Sequence, residues 1–289
     1  MTKAAVLILG LLISVSAVAE ISVIDFQGRT VTLKQPAQRI IALAPHIVEN
    51  VFSAGAGHKL IGVVSYSNYP AAARDLPEVG SFKSWSLETI VALDPDLILM
   101  WKSGNGLNTL VSLTGLGLPV FVSEPRKLED IPYVIRAIGK LAATEPQSEK
   151  EALRLELGFA QLRAKYAHHQ PLGVLYQVWN DPLQTLNGDH MVSAVIELCG
   201  GRNAFADAIS LAPKISIESV LFRDPQVIVA SGMSAARPEW LDDWHAYPSL
   251  QAVQNNALIF VNPDHMQRAT ARLLLGAQDL CQQMALLRR

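Results

Sequence analysis

The chain has 289 residues, 50% of them hydrophobic, with 24 basic and 26 acidic side chains and a formal net charge of −2. That balance leaves no cationic footprint for nucleic acid, and the length is too great for one small core while it suits two domains of ordinary size. Only two cysteines are present, and their spacing matches no zinc pattern.

The opening stretch MTKAAVLILGLLISVSAVAE sets Lys3 before an apolar run that ends at the small-residue site Ala17-Val18-Ala19. The pattern predicts a secretory signal peptide over residues 1–19, because the apolar run is shorter than the ~20 residues a bilayer span needs. With no cysteine near the cleavage site, the mature chain is expected to begin near Glu20 as a soluble exported protein without a lipid anchor. In an oxidising compartment an even cysteine count suggests one disulfide, Cys199 to Cys281, which would fasten the last helix to the C-terminal half. Two separate buried thiols are the alternative.

From Ile21, ISVIDFQGRTVTL alternates apolar and polar residues about a glycine turn and predicts a hairpin. RIIALA, ending at Pro45, predicts a short buried strand, HIVENVFSAGAG a helix closed by glycine, and LIGVVS another strand. SLETIVALDPDLILMW predicts a helix, an Asp-Pro break and a strand. LPVFVSE and LEDIPYVIRAIGKLA continue the alternation. From Glu145 to about His168, Pro146 near the first turn and a dense run of helix formers predict one long helix. Its ~22 residues would span ~33 Å, enough to act as a strut between lobes.

Beyond Pro171 the order of the first half repeats. LGVLYQVW predicts a strand, MVSAVIELCGG a helix, SIESVLFRDPQVIVASG a helix and strand, ALIFVN a strand, and about Thr270 to Leu287 a closing helix. The expected fold is α/β, two Rossmann-like lobes with central, mostly parallel sheets, joined by one long α-helix, with a ligand cleft between the lobes. The expected boundaries are 20–145 for the N-terminal lobe, 146–168 for the connecting helix and 169–289 for the C-terminal lobe.

Two stretches say nearly the same thing: SLETIVALDPDLIL from Ser86 and SIESVLFRDPQVIV from Ser216. In each, the serine is a natural N-cap and the glutamate two residues on lies in the first helical turn, where exposed amides favour a carboxylate. Capping alone would account for Glu88 and Glu218. The functional alternative is a two-point acidic handle, one per lobe, for a partner that carries paired arginines.

Tyr66, Tyr69, Phe82, Trp85, Trp101 and Trp179 fall near the predicted carboxyl ends of strands, the edge at which open α/β sheets take ligands. Their loop positions suggest an aromatic cleft for a large, flat, partly apolar ligand. His46 and His265 fall at strand ends facing the same cleft, each open to simple solvation or to axial ligation of a metal, with no second ligand at metal spacing in the sequence. GxSxG, GxGxxG after a strand, P-loop and HExxH patterns are all missing, which argues against the rival reading of an exported hydrolase.

With GVVSYSNYP, SLETIVALDPDLILMW followed by GN, VIELCGGRNAFAD and GAQDLC in this order, the chain resembles the periplasmic substrate-binding proteins of ABC importers, most of all the cobalamin-binding branch. The resemblance runs from about Arg39 to Leu287. It implies that Tyr66 and Trp101 line the cleft from the N-terminal lobe and that Asp264 and Arg268 are polar cleft positions of the C-terminal lobe. It further implies that Glu88 and Glu218 dock onto arginines of a permease dimer in the inner membrane, and that Cys199 and Cys281 form the family's disulfide.

The sequence departs from that pattern at Phe82 and Ala212, where tryptophans are expected, and around Leu183 and Gln184, where an insertion blurs the alignment of a further aromatic. Trp85 and Trp179 stand nearby to compensate. The resemblance implies a monomeric periplasmic protein, not an enzyme and with no cofactor or resident metal, that captures cobalamin or a related corrinoid for an ABC transporter. A haem or ferric-siderophore receptor on the same scaffold, with His46 or His265 as ligand to haem iron, is the alternative. A strut helix implies small lobe movements about a largely pre-formed cleft.

Overall fold

The computed structural model describes residues 20–232 and 234–288; the expected signal peptide lies outside them. Alternation about Gly28, which sits at φ +72°, produces the antiparallel hairpin β1 (Ile21–Ile24) and β2 (Thr30–Leu33). The N-terminal lobe continues with β3 (Ile40–Ala42), α1 (Pro45–Ser53), β4 (Leu60–Gly62), α2 (Leu87–Ala92) and β5 (Leu97–Trp101). It ends with α3 (Lys102–Asn105), α4 (Leu107–Gly115), β6 (Val120–Ser123) and α5 (Asp130–Ala142). The expected strut is α6 (Glu145–Tyr166).

The C-terminal half holds β7 (Leu172–Gln177), β8 (Trp179–Asn180), β9 (Leu183–Gln184), α7 (Met191–Leu198) and β10 (Gly201–Asn203). After these come α8 (Ile217–Arg223), β11 (Val227–Ala230), α9 (Gln251–Gln254), β12 (Leu258–Phe260), α10 (Pro263–Met266) and α11 (Leu273–Leu286).

The two main sheets are built alike. One runs β4-β3-β5-β6 and the other β10-β7-β11-β12, and every pairing in both is parallel. In each, the second strand lies outside the first, while the third and fourth follow on the other side. The repeated sentence therefore supplies the same part twice, the helix and third strand of a lobe. Both faces of these sheets are covered, which is why β5 and β11 read as unbroken apolar runs rather than alternating ones.

One apolar core passes from lobe to lobe. It takes Ile47 and Val51 from α1, Leu155 and Phe159 from α6, and Val195 and Leu280 from α7 and α11. Helix α6 packs on α5 at one end and on α7 and α11 at the other. At Gly139 the α5 backbone lies so close to Ser148 that a side chain there would overlap it. The expected disulfide is formed: Cys199 and Cys281, both fully buried, tie the end of α7 to α11.

The structure departs from expectation in local places. Helices α3 and α4 occupy a Gly-, Ser- and Asn-rich stretch without a clear period. Strand β7 stops at Gln177, and Trp179 turns into the small β8–β9 pair, opposite Gln184. The closing helix begins at Leu273 rather than Thr270, because residues 267–272 form turns, with the Thr270 amide bonded to the Arg268 carbonyl. No helix of the described residues is long and apolar enough to cross a membrane.

Candidate functional site

The carboxyl ends of the two sheets meet at a cavity of about 120 Å³. His46 at the start of α1, Trp101 at the end of β5, and Glu124 and Arg126 after β6 line it from the N-terminal lobe. His190 at the start of α7 and the turn around Gln267 and Arg268 line it from the C-terminal lobe. This is the placement expected of a ligand site in open parallel sheets.

Trp101 and His46 meet edge to face with ring centroids 5.2 Å apart, and Phe82 lies 6.0 Å from Trp101 on another side. Asn105 pins this group: its Oδ1 accepts from the Trp101 amide at 2.6 Å, and its Nδ2 donates to the carbonyls of Leu43 and Phe82 at 3.0 and 2.7 Å. Gly104 leaves room for the indole, since a side chain there would run into the Trp101 ring. Burial, helped by the charge of Arg268, lowers the His46 pKa to about 4, so its imidazole is neutral at neutral pH.

On one flank, Glu124 bonds Arg126 at 2.5 Å and takes the Ser103 amide and hydroxyl at 2.9 and 2.7 Å. Facing it, His190 caps α7 by accepting the Val192 amide at its Nδ1, and burial followed by the charge of Arg126 lowers its pKa to about 4. On the other flank, Arg268 bonds Glu49 at 2.8 Å and Asp264 at 3.2 Å. Arg272 also bonds Glu49, and its guanidinium lies 4.1 Å from the centre of the Tyr69 ring.

Of the ligand residues expected from the sequence, His46, Trp101 and Arg268 line the cavity, and Asp264 pairs with Arg268 at 3.2 Å. Tyr66 is 75% exposed and holds a left-handed backbone at φ +67°, an uncommon state for a tyrosine. Two residues on, the Asn68 amide oxygen lies 3.4 Å from Arg268, so Tyr66 belongs to the loop that reaches the C-terminal lobe. Phe82 and Trp85 pack against the core of their own lobe. Trp179 is exposed on its hairpin, its Nε1 bonded to the Asp181 carbonyl. His265 lies in α10, outside the cavity lining, and burial lowers its pKa. Glu49, Arg126, His190, Gln267 and Arg272 were not singled out by the sequence, although all but Glu49 lie in or near loops that follow strands.

Glu88 and Glu218 sit in the first turns of α2 and α8, both exposed. The capping itself is done by the serines: Ser86 Oγ accepts the Thr89 amide at 3.1 Å, and Ser216 Oγ accepts the Ser219 amide at 3.2 Å. Hydrogen bonds from the Glu218 backbone amide and Ser216 lower the Glu218 pKa and keep it ionised.

Two matching parallel-sheet lobes, bound through one helix and meeting at a mixed aromatic and charged cleft, define a two-lobed receptor for a small molecule. The chain belongs to the periplasmic binding protein family, whose pattern it matches over residues 40–265. It is 39% identical over 251 residues to the vitamin B12-binding protein of Yersinia pestis strain Pestoides F, an alignment that covers 87% of this chain and 88% of that one. The crystal structure of the periplasmic vitamin B12 binding protein of Vibrio cholerae superposes with a TM-score of 0.81 at 36% identity, covering 88% of this chain and 99% of that one. A periplasmic heme-binding protein from Roseiflexus sp. RS-1 matches with a TM-score of 0.74 at 23% identity, covering 88% of this chain and all of that one, a likeness of fold.

Proposed function

We propose that this protein captures cobalamin or a related corrinoid in the periplasm and hands it, without chemical change, to the permease of an ABC importer. The observation that carries the reading is the sequence identity of 39% to a vitamin B12-binding protein along nearly the whole chain. The cleft chemistry supports it. A corrinoid has a large ring edged with amides and a phosphodiester tail; aromatic faces suit the ring, and the N–H groups of Arg126, Gln267 and Arg268 suit carbonyl and phosphate oxygens. A volume of about 120 Å³ is below the ~300–1,000 Å³ of ordinary small-molecule sites, so most of such a ligand would lie in the cleft mouth beside Tyr66.

The neutral His46 imidazole at the cavity wall favours a second reading, haem bound through that histidine. The deciding experiment is import of labelled cyanocobalamin into proteoliposomes that carry the cognate importer, with this protein added outside. Import that depends on the added protein is the expected result. Import at background, together with a Soret band from haemin that His46→Ala abolishes, would favour the second reading.

A further inference from the structure

We propose that Glu49 is a positioning residue for the cleft: from the N-terminal lobe it grips Arg268 and Arg272 of the C-terminal lobe, clasping one flank and fixing how Arg268 presents its guanidinium. The inference rests on the reading of this cleft as the ligand site.

Glu49 lies one helical turn after His46 in α1, so the two share a face, and it is 2% exposed. A carboxylate so deep in a helix that packs on the core is costly unless it is paired. Its pairing is complete and reaches across the lobes. Oε1 takes Arg268 Nη1 at 2.8 Å and Arg272 Nη2 at 2.6 Å, while Oε2 takes Arg272 Nε at 2.9 Å. These are the only ion pairs between the two lobes among the described residues.

The surroundings reinforce the grip. Asn50 Nδ2 donates to the Ala269 carbonyl at 3.0 Å, Arg268 reaches Asn68 at 3.4 Å, and the Tyr69 ring covers Arg272. Asp264, on the same lobe as the arginines, offers a second carboxylate, yet its side chain is 38% exposed and stands 3.9 Å from Arg272. Arg272 is held by the two-point geometry that fixes a guanidinium plane, whereas Arg268 is shared between Glu49 and Asp264 at the cavity edge. Arg268 lies in the turns before α11 and Arg272 caps that helix, its carbonyl accepting from the Leu275 and Gly276 amides, so outside helix α11 itself the long side chains of both depend on Glu49, Asp264 and Tyr69 for their placement. Glu49 thus orders the C-terminal wall of the cleft from the opposite lobe.

The test compares wild type, Glu49→Gln and the charge-balanced double variant Glu49→Gln with Arg272→Gln. Cyanocobalamin affinity and dissociation rate are measured well below each melting temperature, and amide hydrogen exchange is measured without ligand. Glu49→Gln is expected to weaken binding at least tenfold through faster dissociation, and to raise exchange in residues 45–53 and 263–273 while the sheets stay protected. The double variant should recover its melting temperature but not its affinity, and it carries the test where the single variant does not fold. Affinity within twofold of wild type in either variant would overturn the proposal by making Glu49 merely structural. If wild type binds haemin and not cyanocobalamin, the ligand reading falls and the same three proteins are compared with haemin, where a loss of at least tenfold supports the positioning role and affinity within twofold of wild type overturns it.

Discussion

Trp101 stands where a strand ends and a cleft begins, held from behind by Asn105 and flanked by His46 and Phe82. Replacing it with alanine removes the largest aromatic face of the cavity, and such truncations at a binding hot spot cost about 2 kcal/mol or more. Trp101→Ala should therefore weaken cyanocobalamin binding by roughly 30-fold with little change in fold, read by titration and circular dichroism. The histidines make a second prediction at this scale. Burial lowers His46 and His190 from 6.5 to about 4, so the unfolded chain takes up protons first as pH falls. Their contribution is complete above pH 6.5 and is lost as pH falls toward 4, on the order of 1–3 kcal/mol each. The unfolding midpoint should drop over that window, and His190→Gln should flatten the drop.

Trp101 was legible in the sequence because a residue at the end of a strand sits at the ligand edge of such a sheet, whereas Asp264 and Arg268 were expected as cleft positions only through the family resemblance. Glu49 was not. It reads as an ordinary helix residue, and the partners that give it meaning lie 219 and 223 residues away in the chain. Trp85 was legible as an aromatic in a loop, but only packing shows that it turns into the core of its own lobe.

At the scale of elements, α2 and α8 are the same part used twice, each capped by its serine so that the glutamate is left exposed. If these carboxylates are a docking handle, Glu88→Ala with Glu218→Ala should leave cyanocobalamin affinity unchanged and reduce import into proteoliposomes at least tenfold; equal loss of both would contradict the docking role. The pairing of α7 with α11 carries another prediction. The disulfide closes a separation of 82 residues, worth about 4 kcal/mol in the chain-entropy account. Cys199→Ser with Cys281→Ser should lower the melting temperature on the order of 10 °C, and a shift under 2 °C would contradict that account. Most strands and helices were readable from periodicity and from glycine and proline punctuation. The β8–β9 pair and α4 were not, because a two-residue strand has no period and α4 mixes Leu and Val with Asn, Thr, Ser and Gly in a weak one.

For the whole molecule, α6 is less a spacer than part of the core, since the apolar cluster passes through Leu155 and Phe159 from one lobe to the other. A continuous core opposes wide separation of the lobes, so movement on binding should be small and concentrated in the cleft loops. The duplicated strand order sets the two ligand edges against each other, and the cleft follows from that arrangement. Ligand choice is decided by a calorimetric titration of residues 20–289 with cyanocobalamin and, separately, with haemin. Cyanocobalamin should bind tightly and one-to-one, and Trp101→Ala should weaken that binding. Binding of haemin alone, or cyanocobalamin binding indifferent to Trp101, would contradict the corrinoid reading.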